Sequence, residues 1–248
     1  MKNYRTIKHC RICHSADLIS VLDLGEIYFS NFVTHDQKDK LFKAPLDLVL
    51  CNGDCKLLQL KHTVSNEDMY REYWYLSGIN NTMIAELKDI VISIENFMDL
   101  KEHDYVIDIG ANDGTLLRQY NKGINTIGFE PAFNLQEKNK LGTTYIFSNF
   151  FNFSEWEKKF TNKKAKVITA IGMFYDLDDP NTFVRDVVKC LHDEGLFVIQ
   201  MMYLPFALER NAFDGICHEH LEYYSLETLD YLLSKHDLVL WFGVKRKN

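Results

Sequence analysis

The residues best equipped for chemistry lie late in this 248-residue sequence, in Cys217-His218-Glu219-His220. Two imidazoles and a carboxylate follow one another there. In extended backbone His218 and His220 point the same way and Glu219 the opposite way. An imidazole with an ordinary pKa of about 6.5 accepts a proton at neutral pH, and a carboxylate can orient it. Proton transfer by this histidine–carboxylate stretch is therefore the leading reading. A second metal site and a structural hydrogen-bonding cluster are the alternatives. The stretch is not H-E-x-x-H, whose histidines sit one helical turn apart.

A second constellation is made of cysteines. Cys10-Arg-Ile-Cys13 is a C-x-x-C knuckle, and Cys51-Asn-Gly-Asp-Cys55 is a looser pair with a glycine inside. Two close pairs suit a tetrahedral thiolate site, and four thiolates with no open position mean structural rather than catalytic zinc. The alternatives are His9 or His14 in place of a cysteine, or free thiols. Six cysteines grouped in this way do not look like a disulfide framework.

The third constellation is Tyr105-Val-Ile-Asp-Ile-Gly-Ala-Asn-Asp-Gly114. A short apolar run, Tyr105 to Ile109, suits a strand covered on both faces. Gly110 and Gly114 let the backbone turn sharply and approach a ligand. A dinucleotide pyrophosphate needs G-x-G-x-x-G and exposed amides. Here Asp108 and Asp113 flank the turn instead, which suits a cationic ligand. This loop, with Asn112 at its centre, resembles the nucleotide loop of class I S-adenosylmethionine (SAM) methyltransferases. Glu130 follows the second strand and stands where an acid can accept both ribose hydroxyls; a solvated loop carboxylate is the alternative. Asn149 and Phe150, after the third strand, are candidates for gripping an adenine, although two adjacent phenylalanines also suit a core. Tyr75 and Ser77 lie just before the first long helix and either cover the methionine end of the cofactor or pack as an aromatic hinge.

The elements that position these residues alternate strand and helix. Leu18 to Leu24 and Pro45 to Leu50 read as short strands within residues 1–65, the expected zinc-binding domain. Residues 66–100 form a linker leading to the core, with a helix capped by Asn81 or Thr82 and an apolar stripe from Met83 to Met98. Residues 101–248 carry strands at Tyr105–Ile109, Asn125–Phe129, Thr144–Phe147, Val167–Ile171, Leu196–Met201 and Leu238–Phe242. Helices are expected from near Thr115, over Pro180 to Leu191, and from Ser225. Such alternation implies a doubly wound α/β sheet, Rossmann-like, with a small zinc-binding domain in front. Ligands in such sheets bind beyond the carboxyl ends of the strands, where Asp108, Glu130, Asn149 and Tyr175 all fall.

The net charge of −7 and the absence of a basic stripe argue against nucleic acid as a partner. No apolar run is long enough to span a membrane, and the N-terminus lacks a leader's apolar region, so the expectation is a cytoplasmic protein without a membrane partner. Oligomeric state is not legible.

Taken in order, these features resemble the sugar C-methyltransferase family of SAM enzymes along essentially the whole chain. The matching residues are Cys10, Cys13, Cys51 and Cys55, Tyr75-Leu-Ser77, D-I-G-A-N-D-G, Gly128-Phe-Glu-Pro131, and Cys217-His-Glu-His220. The resemblance implies methyl transfer from SAM to the carbon beside the ketone of a nucleotide-linked 4-keto-deoxysugar. On that likeness His220 is the base, and Glu219 and His218 position the sugar or polarise the enolate. Cys217 stands where some relatives carry tyrosine. Relatives continue into a further C-terminal domain, whereas this sequence stops at Asn248, so a chain impaired in sugar binding and turnover is also expected. Methylation of oxygen or nitrogen on another small molecule, and a SAM- and zinc-binding module without catalysis, are the competing functions.

Overall fold

A computed structural model describes residues 4–28, 35 and 42–241. Its centre is a five-stranded parallel sheet in the order β10-β9-β6-β7-β8. The strands are β6 (Tyr105–Ile109), β7 (Asn125–Phe129), β8 (Tyr145–Phe147), β9 (Ala165–Ile171) and β10 (Leu191–Gln200). Chain order runs outward from β6 to one edge and then, beyond β9, to the other. That reversal makes a crevice at the carboxyl ends of β6 and β9. In register, Ile107 lies opposite Ile127 on one side and Ile168 on the other, and all three are fully buried. Each such side chain contributes about 1.5–3 kcal/mol by leaving water.

Helices cover both faces of this sheet. Helix α2 (Asn81–Phe97) begins where the Asn80 side chain accepts from the Thr82 amide, and it lays Leu87, Val91 and Ile94 against Val106 and Val167. On the other face α4 (Phe153–Lys159), α5 (Pro180–Cys190) and α7 (Leu226–Ser234) pack Trp156, Val184, Val187 and Leu232 against Ile107 and Ile168. Asp179 caps α5 by accepting from the Thr182 amide, and Pro180 occupies its first turn, where a missing N–H costs nothing. Short helices α1 (Asn66–Tyr70), α3 (Gln136–Asn139) and α6 (Leu204–Glu209) complete the set among the described residues.

The N-terminal segment shares strands and core with the rest of the chain. Strands β1 (Tyr4–Thr6) and β5 (His62–Val64) form one antiparallel pair. Strands β2 (Leu18–Tyr28), β3 (Lys43–Cys51) and β4 (Leu58–Leu60) form a second sheet, completed by β11 (Glu222–Tyr223) from far along the chain. Cys10, Cys51 and Cys55 belong to the same apolar core as α5 and α7. The chain beyond residue 220 therefore depends on the first 65 residues for strand pairing.

Two expected elements differ. Instead of a helix from Thr115 there is a single 3-10 turn, Leu117–Gln119, after which Tyr120 is already extended. Arg118 ties this turn down by donating to the carbonyls of Asp113 and Leu141. The expected strand at Leu238–Phe242 is absent over Leu238–Trp241, and Phe242 lies outside the described residues. Asp237 turns the chain with a φ of 60°, Val239 is 90% exposed, and the Trp241 ring packs 4.7 Å from that of Phe97. Among the described residues no strand pairs with this segment.

Candidate functional site

The four cysteine sulfurs converge, all within 4.8 Å of one another. Cys10 and Cys55 are 3.4 Å apart, as are Cys13 and Cys51. Tetrahedral zinc with bonds of about 2.3 Å needs sulfur–sulfur edges of about 3.8 Å, so the cluster fits that ion. Cys55 shares its proton with Cys10, which draws the Cys10 thiol down to about 4 and pushes that of Cys55 up. Burial raises Cys51 to about 12. A dication would replace this uneven proton sharing with four equivalent thiolates.

The knuckle is clamped from both sides. Asn181 on α5 donates to the carbonyls of Arg11 and Ile12, and Lys235 beyond α7 donates to that of Ile12. The buried Arg11 guanidinium donates to Gln59, to the Leu60 carbonyl and to Thr63, and its Nε lies 3.6 Å from Asp178. Asp178 forms part of the wall of a large cavity. Apart from Arg11, which sits between Cys10 and Cys13, none of these clamps had a sequence signal.

That cavity, of about 630 Å³, opens at the carboxyl ends of β6, β7 and β9 and is within the range of ligand sites, about 300–1,000 Å³. Its floor is the glycine loop. Gly110 and Gly114 have φ of 72° and 78°, the left-handed region where a side chain is strained. A Cβ on Gly114 would also come within 3.0 Å of the Asn139 carbonyl. Asp108 is buried, accepts from Thr169 Oγ1 at 2.6 Å, and is pushed by burial up to about 7. Asn112 and Asp113 act as staples. The Asn112 side chain donates to the Tyr75 carbonyl and accepts from the Ser77 amide, and Asp113 accepts from the amides of Gly78 and Thr115. The Tyr75–Ser77 segment is thus fastened over the loop.

Glu130 is held as a fork. Its Oε2 accepts from the Asn112 amide and its Oε1 from the Ala132 amide, both at 2.8 Å. Burial still raises it from 4.5 to about 7. Each carboxylate oxygen keeps a second lone pair, enough for two ribose hydroxyls. Tyr75, Ser77, Asp108, Gly110, Asn112, Glu130 and Phe150 line the cavity; Gly114 does not. Asn149 is exposed and does not line it. The Arg71 guanidinium covers the Phe150 ring at 5.1 Å.

Seven acidic side chains line the cavity, and among the described residues no lysine, arginine or histidine does. The field there favours a ligand with positive charge, which SAM carries on its sulfonium and ammonium. Together with the free lone pairs of Glu130, this chemistry fits SAM.

The sequence matches the family described as Methyltransferase domain over residues 79–241, and a zinc binding domain family over residues 10–70. The chain belongs to the methyltransferase domain family. Among curated proteins, this methyltransferase-family chain is similar to the C-methyltransferase NovU of Streptomyces niveus, 28% identical over 240 residues that cover 94% of the chain and 56% of that protein. It therefore spans about half the length of the curated relative it matches. Among solved structures, the YcgJ protein of Bacillus subtilis aligns with 62% of the chain and 69% of its own, at 18% identity and a TM-score of 0.50. That likeness concerns the class I methyltransferase fold. No helix among the described residues is long and apolar enough to cross a membrane.

The three residues of the His-Glu-His stretch take different positions, and none lines the cavity itself. His218 is buried and bonds the Ala44 carbonyl through Nε2 at 3.1 Å, anchoring the stretch to β3. Glu219 accepts from the Tyr70 hydroxyl at its carbonyl, while its Oε2 is buried with no hydrogen-bond partner. His220 is half-buried. Its ring meets Tyr175, a cavity residue, at 4.3 Å, and its Nδ1 lies 2.8 Å from the Gly215 carbonyl. A carbonyl only accepts, so Nδ1 carries the hydrogen and Nε2 keeps a lone pair. Burial holds the imidazole's pKa below its ordinary value.

Proposed function

We propose that this chain carries out methyl transfer from SAM to the carbon beside a ketone, in a nucleotide-linked 4-keto-deoxysugar. The observation that carries the reading is His220: a neutral imidazole with Nδ1 fixed by a backbone carbonyl, packed on Tyr175 at the rim of the acidic cavity. An imidazole held neutral by burial is available as a base at pH 7. The similarity to a protein described as a C-methyltransferase and the motif resemblance support carbon as the methylated atom.

SAM, when bound, supplies an electrophilic methyl whose transfer leaves a neutral thioether. The chain's residues do the rest. Glu130 orients the cofactor by its ribose, and the Tyr75–Ser77 segment, stapled by Asn112, covers it. His220 Nε2 takes the proton from the carbon beside the ketone. The electrons of that C–H bond become the carbon–carbon double bond of an enolate, and the ketone oxygen takes the negative charge. Bound SAM would supply the methyl that the enolate carbon takes up, and His220 would then release its proton to solvent. Among the described residues no cation lines the cavity, so the diphosphate of such a substrate would lie outside its walls.

The test is exchange of the ring proton beside the ketone in deuterated buffer, followed by NMR without methyl transfer. Exchange by the wild type that falls at least 100-fold in His220→Asn, with SAM affinity unchanged, is the expected result. Exchange that survives the substitution would remove His220 as the base.

A further inference from the structure

One carboxyl in the cavity combines burial with an unpartnered oxygen. Asp176 follows β9 by five residues, in the 3-10 turn Phe174–Asp176, and lines the cavity where the aromatic residues of the entrance segment meet it. Its Oδ1 is buried with no hydrogen-bond partner among the described residues. The groups facing it are Tyr70, which hydrogen-bonds it, and Tyr73 from the segment after β5, its neighbour Tyr175, and Glu219, Glu222 and Tyr223 from the stretch around His220. None of these is a cation. Glu219 also presents a buried, unpartnered oxygen, Oε2. Two carboxylates both ionised in such a place would repel each other and would oppose any negative charge formed nearby.

We propose that Asp176 serves as a neutral carboxylic acid whose O–H donates a hydrogen bond to the ketone oxygen of the acceptor as it becomes an enolate. The inference rests on the ketone reading above and adds the group that meets the oxygen. A carboxylic acid kept neutral by burial is a strong donor to an oxyanion, and a fixed donor needs no reorganisation during reaction. Burial drives the Asp176 carboxyl well above its ordinary range, against a hydrogen bond from Tyr70 that favours the ionised form, and the nearby Glu219 and Glu222 act in the same direction as burial. The location is consistent with the base: Tyr175, its chain neighbour, is the ring against which His220 packs. Base and donor therefore approach the same end of the cavity from adjacent positions.

Infrared difference spectra and kinetics of two variants test this on the whole chain. At pH 7 the wild type minus Asp176→Asn spectrum is expected to show the carbonyl stretch of a neutral carboxylic acid. Asp108 and Glu130 cancel in that difference because both proteins contain them. For turnover, Asp176→Asn keeps an N–H donor of similar shape and is expected to lower kcat by about tenfold. Asp176→Ala removes the donor and is expected to lower kcat by about 10²–10³-fold, the loss found when one oxyanion donor is deleted. SAM affinity measured on the same samples checks that both variants fold. Absence of the acid band, or Asp176→Ala turning over like the wild type, overturns the proposal. A wild type that shows the band yet neither exchanges nor methylates a keto sugar overturns the ketone reading instead, leaving Asp176 an acid without that partner.

Discussion

Replacing Glu130 by glutamine separates what the fold needs from what the cofactor needs. The carboxylate takes one amide on each oxygen, from Asn112 and Ala132. Glutamine can accept only one of them and turns an NH₂ toward the other, a donor facing a donor that costs about 1–3 kcal/mol. Against that, ionising a carboxyl raised from 4.5 to about 7 costs the folded chain roughly 3 kcal/mol at pH 8, since one pKa unit is about 1.36 kcal/mol. The amide never pays it. The two effects nearly cancel, and the thermal midpoint at pH 8 is expected to move little. The sign with pH follows. Between 4.5 and about 7 the folded state holds a proton the unfolded state has lost, so this group's contribution to stability falls as pH rises through that window. SAM affinity moves the other way, because ribose hydroxyls donate to the ionised form. Losing hydrogen bonds to a charged acceptor, about 1.5–3 kcal/mol each, predicts an affinity at least tenfold weaker in Glu130→Gln at pH 8. Calorimetric titration with SAM from pH 6 to 8.5 reads both effects. Wild-type affinity is expected to rise with pH and the variant to show a shallower slope, the remainder belonging to Asp108. Equal affinities at pH 8, or a wild-type affinity that falls with pH, would refute the fork.

Two further changes probe the supports of the site. Asn112→Gly keeps the left-handed backbone at φ 50° while removing both hydrogen bonds to the Tyr75–Ser77 segment. At about 0.5–1.5 kcal/mol per bond, SAM affinity is expected to weaken about tenfold, and an unchanged dissociation constant would show that the staple does not matter to the cofactor. The cysteine cluster shares its core with α5 and α7, so stripping zinc is expected to unfold more than the first 65 residues. Zinc ligation is worth about 10–16 kcal/mol in model fingers, comparable to the whole stability of a domain. Metal analysis should give one zinc per chain, and chelation followed by circular dichroism should show loss of the parallel-sheet core; a core that melts unchanged without zinc contradicts the coupling.

The central strands were readable because Tyr105–Ile109 and Asn125–Phe129 are short apolar runs that end in glycine or an acid, and burial on both faces leaves such runs few alternatives. The cysteine pairs were readable because thiolate spacing is local. Less legible was what distant segments do to one another. Nothing in Glu222-Tyr223 announces a strand that pairs with Gln59 and Leu58, yet this pairing holds the His-Glu-His stretch in place. Sequence order placed His218 and His220 side by side with similar prospects; tertiary contacts gave His218 a buried carbonyl partner and left His220 beside Tyr175. Asn149 carried the right position after β8, but the chain turns it outward and Phe150 inward. Asp176 was not among the residues the sequence singled out, because the groups that surround it, Tyr70, Tyr73 and Glu219, come from segments far away in the chain.

The most direct measurement is the fate of the methyl group. The chain is incubated with SAM labelled with carbon-13 in its methyl and with nucleotide-linked 4-keto-deoxysugars, and the products are read by NMR. A label bonded to the ring carbon beside the ketone, formed at an enzymatic rate and lost in His220→Asn, is the expected result. A label on oxygen or nitrogen, or no transfer from a protein that binds SAM, would contradict carbon methylation by this chain.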